Sequence, residues 1–541
     1  MNRKTLVLPA VIGLLAPVLA ACGGSGSGDG SDGAIVVGTT DGFTASKAAP
    51  APFDPAYAYD AGSWNILRQT VQTLMRAPRG GAGEPVPEAA ESCKFTDTGN
   101  QRYDCELRDD LAFSNGDKVT PADVKFSIER VLKIHKLLAP KKLSSGVAGL
   151  IANVENVEVM GKHVIFHLKT SDATFPHKLA TPAAGIVNPD MYDKTKLRDG
   201  FQVDGSGPYS LEAEVKDNKL VKAVFTKNPH YKGHLTGKTE TVELRPFGTA
   251  DQMGKALKSG DIDMMARTLE TQQIKQLTAD ADDSIDLVEM PGLGIRYLGF
   301  ETDAPVVKNK AVRQAMAQLV DRGAIISQVY GAAAEPLYSL VPSTIAGHTN
   351  SFRNEYGEPS VTKAKGILTK ASITTPVKLT LNYTTDHYGE GTKREFELLQ
   401  KQLNDSGLFD VKIKGTPWGD FRPTELKGEY AVYGMGWFPD FPDADNFIAP
   451  FLDEGNFLNS PYTNSEIRDE LIPQSRREAD RIAASDSLER IQDIVAKDVP
   501  VLPLWQGKEY VAARDDITGV EWAFNASSNL QLWELARGMK G

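Results

Sequence analysis

From Val377 onward the sequence alternates strand-like and helix-like segments with a regularity that few architectures accept. VKLTLNYTT is followed by a helical stretch over Thr392–Leu403 with Gly407 at its end. DVKIKG, a helical stretch after Trp418 and a strand from Tyr430 come next. A β-α-β-α-β order implies a largely parallel sheet with helices on its faces, an α/β fold. The third strand is expected to stop at Gly434, Gly436, Pro439 and Pro442, which disfavour a continuing sheet. It leaves Trp437, Phe438 and Asp440 at the carboxyl end, where α/β sheets bind ligands. A carboxylate among aromatic rings is poorly hydrated and seeks a cation, a ligand ammonium being one candidate. The alternative is a loop acid that caps a turn or pairs with a nearby Lys or Arg.

A chain of 541 residues exceeds what one hydrophobic core supports, so at least two lobes are expected. A second α/β block precedes residue 298. It opens with the strand Ala34-Ile-Val-Val-Gly-Thr-Thr and a helix over Trp64–Met75. A strand-rich region follows from Cys93 to Leu168, with one helix capped by Thr120 and opened by Pro121. Further strands lead to a helix over Ala250–Lys258 closed by Gly260, and a helix over Lys310–Arg322 comes after them. The expected limits are a first lobe over 34–297 with an extra α+β domain at about 66–200, a second lobe over 298–505, and a return segment over 506–541. A cleft between lobes is the default ligand site.

Asn2-Arg3-Lys4 and the apolar Leu6–Ala21 read as a targeting signal, too short for a comfortable membrane span. Leu19-Ala20-Ala21-Cys22 resembles the bacterial lipobox, which implies cleavage after residue 21 and lipid on Cys22; an ordinary secretory signal is the alternative. The Gly/Ser/Asp run over 22–33 then serves as a flexible tether. Cys93 and Cys105 flank a turn at Thr98-Gly99-Asn100, and in an exported protein a cross-strand disulfide is the natural reading.

Formal net charge is −11, and loss of residues 1–21 takes it to −13. An acidic chain without basic clusters is a poor match for nucleic acid or anionic lipid surfaces. Secreted-hydrolase signatures such as G-x-S-x-G and H-E-x-x-H are absent, so no catalytic residue is assigned. His163 and His167 on one strand lie roughly 13 Å apart, too far for one metal. Asp440, Asp443 and Asp445 lack the glycine that closes a calcium loop, and no metal or cofactor is expected. A purely structural lipoprotein is a third class of reading.

Five segments in order carry a resemblance that covers nearly the whole mature chain. They are CELRDDLAFSNGDKVTPADVKFSIERV, GSGPYSLEAEV with KNPHY, ALKSGDIDMM, VVKNKAVRQAMAQLVDRGAII and GWFPDFPDADNF. Together they resemble the extracellular solute-binding proteins of peptide ABC importers, the dipeptide/oligopeptide-binding family (solute-binding protein family 5). The resemblance implies a two-lobe periplasmic-binding-protein-like (type II) fold with an extra domain in the first lobe. It also implies hinge closure around the ligand, the established behaviour of such binding proteins. In peptide-binding members the acid three residues after the Gly-Trp tryptophan pairs with the ligand's amino terminus, a position held here by Asp440. Gly436, Trp437 and Phe438 would then line the cleft. The implied protein is a lipid-anchored monomer on the outer membrane face that captures di- or oligopeptides and delivers them to permease subunits. Pro439 precedes the acid and Ala444 stands where proline is usual, and members that bind sugars, nickel or haem-like ligands keep a similar segment. An oligosaccharide, nickel or other small solute is therefore the alternative ligand.

Overall fold

The computed structural model describes residues 33–47, 49–141, 145–266, 269–279 and 284–538. The signal segment over 1–21, Cys22 and the tether up to residue 32 lie outside the described residues.

One sheet of eleven strands runs through the body, and two long strands hold its halves together. Ile285–Phe300 and Val501–Arg514 pair antiparallel, and each then pairs outward with a different half. On one side lie Met264–Met265, Ile35–Thr39, Thr241–Pro246, Lys219–Lys227 and Tyr209–Lys216 in that spatial order; this half is the first lobe. On the other, Val432–Trp437, Val377–Thr384 and Phe409–Thr416 run parallel and form the second lobe. The register between the long strands breaks between Pro291 and Ile295 and again between Arg296 and Tyr297. A Cβ on Gly292 would sit 2.5 Å from the Gly507 carbonyl oxygen, so the backbones approach at this crossing more closely than any side chain allows.

The repeat from Val377 builds as its pattern dictates. Val377, Leu379 and Leu381 point into the core, and helices Gly391–Asp405 and Trp418–Glu425 connect the parallel strands. One expectation is corrected. Gly434 and Gly436 do not end their strand, which continues to Trp437 with every residue buried. The glycines are there for space, since a Cβ at 434 would overlap the Phe396 ring and one at 436 the Arg296 guanidinium. Tertiary crowding overrides the weak strand propensity of glycine.

A separate four-stranded antiparallel sheet, Ala90–Phe95, Arg102–Leu107, His163–Leu168 and Val154–Met160, packs on helix Pro121–Leu138. The Asp123 carboxylate accepts from the Thr120 backbone N–H at 2.7 Å and so fixes that helix start. Cys93 stands opposite Cys105, and the two are joined as a disulfide.

Candidate functional site at the lobe interface

Strand Val432–Trp437 delivers the loop 438–444, which leads into helix Asp445–Leu452. Two ion pairs, the first of them buried, brace this turn. Arg481 grips both oxygens of Asp443 at 2.7 and 3.1 Å, and Arg476 lies 3.0 Å from Asp445. Asp443 and Asp445 are thus spoken for by arginines. At the tip, the Asp440 backbone N–H donates to Asn446 Oδ1 at 2.8 Å, while Asn446 Nδ2 donates to Asp440 Oδ2 at 3.4 Å. A loop fixed this way presents its carboxylate without paying much ordering entropy on binding.

Facing it is the first lobe. Helix Ala61–Thr70 starts at Asp60, whose side chain accepts from the Ser63 N–H at 2.8 Å. The helix is locked to the C-terminal segment, with Gln69 Nε2 donating to the Leu530 carbonyl at 2.7 Å and the Leu530 N–H donating to Asn65 Oδ1 at 2.9 Å. Tyr59, just ahead of it, donates its hydroxyl to Asp440 Oδ2 at 3.2 Å. Arg68, in its last turn, lines a pocket with His177, Thr181, Asp440, Phe441 and Asn529. Phe441 is buried among first-lobe residues, its ring stacked on His177 at 5.8 Å between centroids.

Burial pushes the Asp440 carboxyl up to about 6, against the hydrogen bonds from Asn446 and Tyr59 and the more distant charges of Lys178 and Arg68. Burial pulls Arg68 down to about 10, partly offset by Asp440. His177 falls to about 4, again through burial. A carboxylate raised by desolvation, with no cation in ion-pair contact among the described residues, favours a cationic partner. Nothing in this arrangement supplies a nucleophile with a base. Among the described residues no three His, Cys, Asp or Glu side chains converge as a metal site. His163 lies 2.9 Å from Asp104 and His167 3.1 Å from Glu158, each with a carboxylate of its own.

The other residues singled out in the sequence divide. Phe438 is 50% exposed beside the Arg296 guanidinium, 5.4 Å from its carbon. Trp437 belongs to the second-lobe core, packed on Phe451 and Phe457. Gly436 gives Arg296 its passage between Tyr388 and Trp505, whose rings lie 4.1 and 5.2 Å from the guanidinium carbon. Tyr59, Arg68, His177 and Phe441 were not marked by the sequence. Phe441 follows Asp440 directly and stood within reach; the other three lie hundreds of residues away with no local signature.

A family model described as bacterial extracellular solute-binding proteins, family 5 middle, matches residues 84–459. The oligopeptide-binding protein OppA of Bacillus subtilis is 24% identical over 530 residues, covering 93% of this chain and 94% of that protein. Heme-binding protein A of Haemophilus influenzae is 26% identical over 519 residues, 90% of this chain and 91% of the other. The structure of Helicobacter pylori DppA in complex with the peptide STSA superposes with a TM-score of 0.74 at 22% identity, covering 93% of this chain and 98% of that one, a likeness of fold. With two lobes on a shared sheet and a family model spanning most of its length, the chain belongs to the bacterial extracellular solute-binding proteins of family 5.

Proposed function

We propose that this chain is the substrate-binding component of an ABC importer and that it captures peptides between its lobes. The observation that carries this reading is Asp440: a carboxylate at the lobe interface, raised to about 6 by burial and, among the described residues, in ion-pair contact with no side chain. A peptide ammonium would supply the missing charge, with Tyr59 and Asn446 holding the carboxylate in register. Phe438 and, through Arg296, Gly436 would shape the adjoining wall, while Trp437 would back it from the core. The protein does no chemistry on its ligand.

The lobes would divide near 297/298 and 505/506, inside the two long strands, with the extra domain at about 66–200. Closure would turn on the register break beside Gly292, Gly294 and Gly507, where few side chains resist a change of backbone angle. Lipid on Cys22 and the tether after it would keep the monomer on the outer membrane face, within reach of its permease.

A non-peptide solute is the second reading, favoured by a haem-binding relative at an identity no lower than that of the peptide binder. A native mass spectrum of the undenatured protein separates the two. A ladder of adducts at peptide masses is the expected result. One adduct at a haem or sugar mass, or a ligand-free protein that takes up no peptide from a di- to pentapeptide panel, would overturn the peptide assignment.

A further inference from the structure

The turn at Thr98-Gly99-Asn100 does more than close a hairpin. Asn100, at its tip, is only 4% exposed, whereas the polar residue of a loop tip ordinarily faces water. Its backbone is left-handed at φ 52°, a conformation asparagine tolerates. Asp97 fixes the turn, its carboxylate accepting from the Gln101 and Arg102 N–H groups at 3.1 and 2.9 Å. What covers Asn100 is the second lobe. Its Nδ2 donates to the Arg477 carbonyl at 2.8 Å and lies 3.5 Å from that of Arg476. A flipped amide would set an oxygen against two carbonyl oxygens, so the surroundings decide which end donates. Beside it the Ala173 N–H donates to the Arg476 carbonyl at 2.9 Å. The two donors are tied together on their own side: the Asp172 N–H donates to the Asn100 carbonyl at 3.1 Å, and the Asp172 carboxylate accepts from Thr174 Oγ1 at 2.6 Å and Lys178 Nζ at 2.7 Å.

Arg476 and Arg477 end the helix Ile472–Arg477. The last carbonyls of a helix have no partner within it. Here Arg481 Nη1 donates to that of Ser475 at 2.6 Å, and the next two are capped from the extra domain. The Arg476 side chain, 3.0 Å from Asp445 and 2.9 Å from Asp453, holds the helix end in place. The contact is polar. Ile472 packs in the second-lobe core and Tyr103, Phe166 and Phe175 in the core of the extra domain, and among the described residues the two cores share no member. Water can replace hydrogen bonds of this kind one for one, so such a contact parts and remakes where a merged apolar core would not. None of Asn100, Ala173, Arg476 and Arg477 lines the Asp440 pocket or the cavity that borders it past Gln72 and Trp533.

We propose that Asn100 and Ala173 form a latch that holds the lobes closed from outside the ligand pocket, by capping a helix of the opposite lobe. Motion about the Gly292–Gly507 crossing would part these bonds first on opening and remake them on closing. The latch gives the closed form a share of stability that comes from the protein's own groups. A solute then needs to supply only the remainder, and its escape waits on the parting of the latch. The inference holds whichever solute the pocket takes.

The test uses the purified full-length chain with no solute added, read by amide hydrogen exchange resolved to single residues by fragmentation mass spectrometry, with small-angle X-ray scattering on the same samples. In the wild type the Ala173 N–H exchanges at least tenfold slower than an unprotected amide. Asn100→Gly keeps a residue suited to the left-handed turn and removes the donor. It should speed Ala173 exchange roughly two- to twelvefold, the worth of one hydrogen bond, and enlarge the radius of gyration. Asn100→Asp sets an acceptor against the two carbonyls and should open the lobes further. In both variants the amides of Arg102–Leu107 keep their wild-type rates, which separates opening of the lobes from loss of the extra domain. A wild-type Ala173 amide within tenfold of the unprotected rate overturns the latch before any variant is made. So does a change below twofold in Asn100→Gly. Faster exchange at Ala173 and Arg102–Leu107 alike would overturn it too, by assigning Asn100 to the fold of its own domain.

Discussion

The Tyr59 hydroxyl donates to Asp440 Oδ2 at 3.2 Å across 381 positions of sequence, a strut from the first lobe to a second-lobe carboxylate that no cation contacts among the described residues. The same carboxylate is held by Asn446 from its own loop. Its place is therefore set before a ligand arrives.

Asp440→Asn is expected to weaken peptide binding at least 100-fold by calorimetry. Leaving a desolvated ammonium unpaired costs about 3–5 kcal/mol, and each 1.4 kcal/mol is a factor of ten. The ligand-free melting temperature at pH 7.5 should hold or rise, because the variant removes a charge that burial disfavours. A fall of several degrees with binding intact would assign Asp440 to structure alone.

Acid should act on the site through two opposed groups. Asp440, at about 6 when folded against an ordinary value of 3.8, takes up its proton earlier in the folded state, so between pH 6 and 4 falling pH adds stability. His177, at about 4 against 6.5, takes up its proton earlier in the unfolded chain, so over the same range falling pH removes stability. Each amounts to at most about 3 kcal/mol, at 1.36 kcal/mol per unit. The wild-type contribution of this pair should be nearly flat from pH 6 to 4, while Asp440→Asn exposes the His177 slope and melts progressively earlier on acidification. Peptide affinity should fall about tenfold per pH unit below 6, since a protonated Asp440 offers no charge to the ammonium. Parallel melting curves of the two proteins against pH would refute this balance.

Local pattern carried the fold further than the site. The second lobe was legible because period-2 alternation in VKLTLNYTT and the 3.6-residue spacing of Phe396, Leu399 and Leu403 are local, and these residues all bury in one core. Asp440 was legible as an acid at the end of a buried strand. Its surroundings were not: Tyr59 precedes and Arg68 ends a helix pinned to residues 530–532 of the returning chain, and no local pattern encodes such an approach. Gly434 and Gly436 misled for the same reason, since the neighbours that require them, Phe396 and Arg296, lie far off in sequence.

Asp443 and Arg481 are each 5% exposed, and their pairing braces the Asp440 loop. Burial alone would raise the Asp443 carboxyl, but Arg481 outweighs it and holds the group below the usual carboxylate range. Arg481→Met should cost about 3–5 kcal/mol in urea unfolding, the price of an orphaned buried carboxylate. Adding Asp443→Leu should recover most of the loss, as an apolar pair of similar volume often does. A single variant within 1 kcal/mol of wild type, on the scale of an exposed pair, would mean that water reaches Asp443.

The disulfide closes a loop of 12 positions between paired strands of the extra domain. Cys93→Ala with Cys105→Ala should lower stability by about 3 kcal/mol through the freed unfolded chain, and the faster hydrogen exchange should concentrate in Ala90–Leu107. Peptide affinity should move less than twofold, since neither cysteine lines the two cavities at the lobe interface.

Gly436 tests whether the Arg296 slot is a packing requirement. Arg296 lies opposite Gly436 in the antiparallel ladder, and its guanidinium fills the space a Cβ would take. Gly436→Ala must therefore expel a cation held by Tyr388, Phe438 and Trp505 or push the two strands apart. Lost cation–π contacts are worth about 0.5–1 kcal/mol each and overpacking about 1–3 kcal/mol, so a loss of about 2–4 kcal/mol is expected. The collision needs both partners, so Arg296→Ala in the same chain should make Gly436→Ala nearly neutral, a coupling of at least 1 kcal/mol in a double-mutant cycle. Additive losses would show that the strand, rather than the arginine, demands the glycine.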